Sequence, residues 1–215
     1  MAMILRNGMI KGALGDVIYY VRDGVQYSRT RSRENKSKTP KQQLQRAKFY
    51  TVSRFMSEML DVIKIGWRKE APQPYSKAFS WHIKNALEDT GTTTKDSRKK
   101  FRIDPEKALL AVGRIPRPEI TSVSRGNYDI RLSWTTQLPE IEARTSDSIV
   151  LVAWKKGMKA KSFIDIGNRG KGEGSIVLPY EFQGPVHLWV FYRNFNFEKP
   201  SDVMNVSDSV YLGEC

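Results

Sequence analysis

Eight cations, Arg29, Arg31, Arg33, Lys36, Lys38, Lys41, Arg46 and Lys48, fall between Ser28 and Lys48 against a single carboxylate, Glu34. Side chains of one sign at this density repel each other, and the chemistry they perform is capture of a polyanion or of an acidic protein surface. They bind; they do not make or break bonds. On nucleic acid they would displace counterions from several phosphates, giving an affinity that falls steeply with salt. On protein they would dock against acidic patches of a neighbouring subunit. Tyr27, Phe49 and Tyr50 flank the segment and could stack on bases, although Phe49 and Tyr50 equally suit the start of a helix-packing face. No RRM, KH, zinc-finger or homeodomain signature accompanies them, so readout of a particular base sequence is not expected. The bias is confined to one part of the chain: residues 1–117 carry 25 Lys or Arg against 11 Asp or Glu, and residues 118–215 carry 11 against 12.

Other residue types offer less. The run from Gly167 to Gly174 has the composition of a phosphate loop, but no Ser or Thr follows its Gly-Lys pair and strands surround it, so a long flexible hairpin loop is expected. His82 and His187 are too few for a metal site, and each reads as a packing residue with one satisfied nitrogen. Cys215 is the only cysteine; it has no neighbouring base to activate it and no partner for a disulfide. There is no Gly-x-Ser-x-Gly elbow and no pair of carboxylates spaced for acid and base work. The sequence therefore predicts a protein that is not an enzyme and uses no cofactor and no metal. Trp154, Trp189 and Tyr192 could form an aromatic platform for carbohydrate, but core burial accounts for them more simply.

Hydrophobic residues make up 40% of the 215, with five Trp, nine Tyr and nine Phe, enough to build a core despite a net charge of +13. No apolar run reaches the 18 residues of a membrane span, and Met1 to Met9 lacks the apolar stretch of a signal peptide. The expectation is no membrane contact and a cytoplasmic or virion-associated location.

The elements that hold these residues follow from local patterns. Asp16 to Tyr20 and Val25 to Tyr27, separated by Arg22-Asp23-Gly24, predict a β-hairpin with a tight turn. Gly8, Gly12 and Gly15 ahead of it mark bends or bulges. From Ser28 the basic stretch has neither hydrophobic period and reads as an extended arm. It ends at Thr39-Pro40-Lys41-Gln42, a helix start with Thr39 as N-cap, Pro40 at the first helical position and Gln42 closing a capping box. Leu44 to Ile63 then recur at helical spacing, predicting one amphipathic helix to about Ile65, and Tyr75 to Leu87 predict a second. Phe101 to Ile115 leans to strand. Seven short strands follow, at 120–124, 128–135, 148–154, 161–166, 174–178, 186–192 and 206–212, with Tyr128, Ile130, Leu132 and Trp134 alternating against polar neighbours. The fold class is α+β: an N-terminal β-hairpin, a basic arm and two amphipathic helices over residues 1–117, then an immunoglobulin- or fibronectin-like antiparallel β-sandwich over 118–215.

Several segments taken together resemble a domain-of-unknown-function family of uncharacterised proteins of about 200 residues, widespread in Bacteroidota. They are Gly12-Ala13-Leu14-Gly15-Asp16-Val17, then Thr39-Pro40 with Gln42, Gln45, Arg46, Ala47, Lys48 and Phe49, then Asn85-Ala86, Val186 to Val190, and Ser207 to Gly213. The resemblance covers nearly the whole chain and implies a hairpin and helices joined to an immunoglobulin-like sandwich, without an established activity. The arm followed by Thr-Pro-x-Gln is also similar to pieces of prophage-encoded structural proteins. The expected function is a structural or assembly protein that binds partner subunits, copies of itself included, through the basic arm. The alternative is a nonspecific nucleic-acid-binding protein using the same cations.

Overall fold

Between Arg22 and Val25 the chain reverses in two residues, and both have positive φ, Asp23 at 51° and Gly24 at 76°. This is the turn whose twist matches antiparallel strands, and Asp-Gly is the pair that adopts it at low cost. It joins Val17–Arg22 (β3) to Val25–Thr30 (β4). Met3–Ile4 (β1) and Ile10–Leu14 (β2) extend the hairpin to a four-stranded antiparallel sheet in chain order. Gly8 and Gly15 lie between these strands and Gly12 within β2, all three at positive φ, in keeping with the expected bends or bulges. The computed structural model describes residues 3–5, 8–31, 39–68, 73–92, 99–137, 143–194 and 205–215. The chain divides into two compact units, Met1–Gln42 and Gln43–Cys215, a division placed differently from the charge boundary at residue 117.

The first residues of the expected arm are strand instead, and residues 32–38 of it lie outside the described residues. Ser28, Arg29 and Thr30 belong to β4, paired with Tyr19, Ile18 and Val17, and the Arg31 N–H donates to the Asp16 carbonyl at 2.6 Å. Backbone pairing with β3 overrides the absence of a hydrophobic period. The helix start is as expected: Pro40–Glu58 (α1) opens with Pro40, and the Thr39 Oγ1 accepts the Gln42 N–H at 3.4 Å. Gln42 Oε1 has no partner, so the return half of the capping box is not made.

One long helix was expected; two occur, because the Glu58 carbonyl accepts the Ala160 N–H at 2.8 Å and the chain tightens at Met59 before Leu60–Gly66 (α2). The apolar stripe crosses the break intact, with Val52, Phe55, Met56, Met59, Val62 and Ile63 all buried. Pro74–Asn85 (α3) stops two residues short of its predicted end. Leu87 is captured instead by a strand, Leu87–Thr92 (β5), opposite Ile103 of Lys99–Ile103 (β6). The expected strand over 101–115 survives only in β6. Beyond it Asp104 Oδ1 accepts the Glu106 N–H at 3.0 Å and turns the chain.

All seven later strands form: Ile120–Arg125 (β7), Asp129–Trp134 (β8), Ser148–Trp154 (β9), Lys161–Asn168 (β10), Glu173–Val177 (β11), His187–Asn194 (β12), and the last as Asn205–Val206 (β13) with Val210–Glu214 (β14). They make an antiparallel three-stranded sheet, β11-β8-β7, and a five-stranded one in which β9 and β12 are central. On one face of β9 and β12, Ile149, Leu151, Ala153, Leu188, Val190 and Tyr192 share a buried cluster with Ile130, Leu132 and Trp134 of β8. On the other, Val150, Val152, Trp154, Trp189 and Phe191 share one with Phe55, Met56, Met59 and Ile63 of the helices. Covered on both faces, these strands carry unbroken apolar runs, while β8, covered on one, alternates. Helices before residue 117 and strands after it thus hold one core in common.

The Gly167 to Gly174 run is not a long flexible loop. β10 continues through Asn168, a single 3-10 turn at Arg169–Lys171 is fixed by Asn168 Oδ1 accepting the Lys171 N–H at 3.0 Å, and β11 begins at Glu173 in the other sheet. Arg169 is buried there: its Nε lies 3.3 Å from Asp147 Oδ2 and its guanidinium 3.9 Å from the Tyr192 ring centroid.

Candidate functional site

The sequence-predicted cations do not converge on one described site. Arg29 and Arg31 lie on and just past β4, Lys41 and Arg46 are exposed on α1, and Lys48 is half-buried with its Nζ 5.4 Å from the Phe101 ring centroid. Arg33, Lys36 and Lys38 lie outside the described residues. Among the described residues, no carboxylate forms an ion pair with Arg29, Arg31, Lys41 or Arg46. Phe49 takes the packing role rather than the stacking one, with its ring 5.7 Å from Phe79 of α3, while Tyr50 is 69% exposed.

Register sorts the first unit's sheet into two unlike faces. Tyr20 stands opposite Tyr27, Ile18 opposite Arg29 and Arg22 opposite Val25, so strand alternation puts these six on one face. Tyr20 and Tyr27 stack, with centroids 5.6 Å apart and planes at 19°, and are 39% and 45% exposed. Arg22 and Arg29 bracket the ring pair along the strands, and Arg31 continues the row two residues beyond Arg29. The acids of this described sheet, Asp16 and Asp23, sit in turns; Asp23 lies 3.6 Å from Arg22 with both side chains solvated, a weak contact. The opposite face carries Val17, Tyr19 and Val21 of β3 with Gln26, Ser28 and Thr30 of β4, joined by Leu14 of β2, with no charged side chain among the described residues. No described residue before Pro40 is buried.

The second unit has a groove of about 840 Å³ between α1, β6 and the ends of β9, β12 and β14. Its floor is aromatic. Trp154 stacks on His187 at 5.3 Å, and His187 Nδ1 lies 2.8 Å from the Tyr211 hydroxyl. Burial holds His187 below its ordinary value and pushes the Tyr211 hydroxyl up to about 12, so both are neutral near pH 7. Glu58 is committed to the wall: its Oε2 accepts the Trp154 Nε1–H at 2.9 Å and its Oε1 lies 3.4 Å from Arg54 Nε. The rim mixes Lys100 and Lys156 with Glu106 and Glu214 and has no dominant sign. Sequence reading did not find this groove because its walls come from segments a hundred residues apart; the only local signal was the alternation that sets His187 and Trp189 on one strand face.

Trp154, Trp189 and Tyr192 are not a surface platform. They are 7%, 0% and 0% exposed. His82 is fully buried in the helical packing, its Nδ1–H donating to the Ala78 carbonyl at 2.7 Å. Among the described residues no three His, Cys, Asp or Glu side chains gather as metal ligands, and no helix is long and apolar enough to cross a membrane.

No curated protein matches the sequence. The family match is broad and agrees with the resemblance carried by the glycine-punctuated opening, the Thr39-Pro40 helix start and the closing strand: residues 9–213 fit the family described as "Family of unknown function (DUF6266)", and the chain belongs to it.

Proposed function

We propose that this is a non-enzymatic structural or assembly protein whose first unit makes the contacts and whose second unit is the rigid support. In this reading the two antiparallel sheets of the second unit form an immunoglobulin- or fibronectin-like sandwich with the helices as an added layer. The observation that carries the proposal is the uncharged face of the β1–β4 sheet, with Leu14, Val17, Tyr19 and Val21 on strands of which no residue is buried. A small sheet gains independent stability by covering such a face. The partner is a second copy of the chain. Every copy presents the same apolar face, and a molecule of net charge +13 meets its like with least repulsion where its surface is neutral. The cations of the arm, Arg33, Lys36 and Lys38 among them, then reach an acidic surface of the assembled particle. A prophage setting in Bacteroidota belongs to the same proposal, and capsid or tail genes beside this one would support it.

Sedimentation of the full chain at micromolar concentration tests the reading. A dimer or larger species is expected, reverting to monomer when Val17→Asp and Val21→Asp place charge on the neutral face. A wild-type chain that sediments only as monomer would count decisively against it.

A further inference from the structure

We infer that the other face of the β1–β4 sheet is a stacking platform for single-stranded nucleic acid. This does not rest on the assembly reading, which uses the opposite face. Two features there fit one kind of ligand. Tyr20 and Tyr27 form a stacked, solvent-facing aromatic pair directly across β3 and β4. On either side along the strands stand Arg22 and Arg29, each two residues, or about 7 Å of strand rise, from a tyrosine. Arg31 extends that row, and Arg29 and Arg31 have no ion-pair partner among the described residues.

An unpaired base presents an apolar π-face to an aromatic ring while its phosphates remain outside, within reach of flanking guanidinium groups. A duplex keeps its bases stacked on one another and can offer this surface only phosphates. An acidic peptide satisfies the arginines and leaves the rings unused. The site therefore discriminates in favour of single strands, and it does so without reading sequence, because every base has a π-face. Arg22 also contacts Asp23 at 3.6 Å, but both groups are solvated, so phosphate displaces that carboxylate readily.

The test is fluorescence anisotropy of the full chain with a labelled oligothymidylate of about fifteen nucleotides, long enough to span such a site. Oligouridylate, a duplex of the same length and a polyglutamate peptide serve as competitors. The expected result is binding at low salt that weakens roughly tenfold or more between about 50 and 200 mM, as three phosphate contacts require. Both single strands should compete well and the duplex and polyglutamate poorly. Tyr20→Ala with Tyr27→Ala should weaken binding by about tenfold or more, whereas Tyr20→Phe with Tyr27→Phe should retain it. Arg29→Gln should lower the logarithmic salt slope by about 0.7. The inference fails if oligothymidylate is not bound at low salt, if duplex or polyglutamate competes equally, or if the double alanine variant binds like wild type. The competition arm needs no variant, so misfolding cannot mask the answer. Self-association intact without oligonucleotide binding would end this inference and leave the assembly reading standing.

Discussion

The β1–β4 sheet and the β9–β12 strand pair draw on the same residue types, Val, Ile and Tyr with a few cations, yet the two regions treat them in opposite ways. In β12, Leu188 to Arg193 are all buried; in β4, Val25 to Thr30 are all exposed. Tyr192 and Tyr27 make the contrast at a single residue type. Tyr192 is fully buried under the Arg169 guanidinium, and burial pushes its hydroxyl up to about 12, whereas Tyr27 is stacked on Tyr20 in solvent. A tyrosine inside a core is accounted for by packing. A pair of them held in register on a solvated strand face adds only about 0.2–1 kcal/mol to the hairpin, and its exposure between arginines leaves both rings open to a ligand.

That contrast can be broken by mutation. The largest effects should come from the second unit's interior. Trp189→Ala removes a fully buried indole whose Nε1–H donates to the Pro105 carbonyl, and should lower unfolding stability by about 3–5 kcal/mol in urea titration. Asp147→Ala should cost a similar 3–5 kcal/mol, because it leaves the Arg169 guanidinium buried without its carboxylate. Replacing the pair together, Asp147→Leu with Arg169→Met, should cost less than Asp147→Ala alone.

A smaller effect should appear as pH dependence. Burial pulls His82 down from 6.5 to about 4, since its ring sits against Phe55 and Trp81 with Nε2 unpartnered. The unfolded chain takes up a proton near pH 6.5 and the folded one only near 4. Stability is therefore fully present above 6.5, falls as pH drops through that window, and levels off below 4, a loss of about 3 kcal/mol. Chemical denaturation at intervals from pH 7 to 4 should show this slope, and His82→Phe should flatten it. The smallest effect should come from the first unit: Tyr20→Ala should change the second unit's unfolding free energy by no more than about 0.5 kcal/mol, as expected of a surface site. A large shift there would mean that the tyrosine pair is structural.

What the sequence revealed divides along the range of the interactions involved. The Asp23-Gly24 turn, the Thr39-Pro40 helix start and the seven later strands were legible because turn chemistry, capping and alternation act over a few residues. Long-range capture was not. Ser28 to Thr30 look like a charged arm until β3 pairs with them, Leu87 looks helical until Ile103 takes it into a strand, and the helix breaks at Met59 because Ala160 claims the Glu58 carbonyl. The glycine-rich run looked flexible because its composition hides Arg169, whose burial depends on Asp147 some 22 residues away. At the candidate sites, the cations and Tyr27 could be named from spacing alone. Tyr20 as its stacking partner required the register of the hairpin, and the groove beside Trp154 and His187 required the fold.

The claim that the first unit makes contacts while the second supports them is tested most directly by hydrogen–deuterium exchange of the full chain, compared at dilute and at micromolar concentration. Protection should rise with concentration in residues 10–30 and stay unchanged in β9, β12 and the helices. Protection rising instead in the second unit, or in neither, would contradict it.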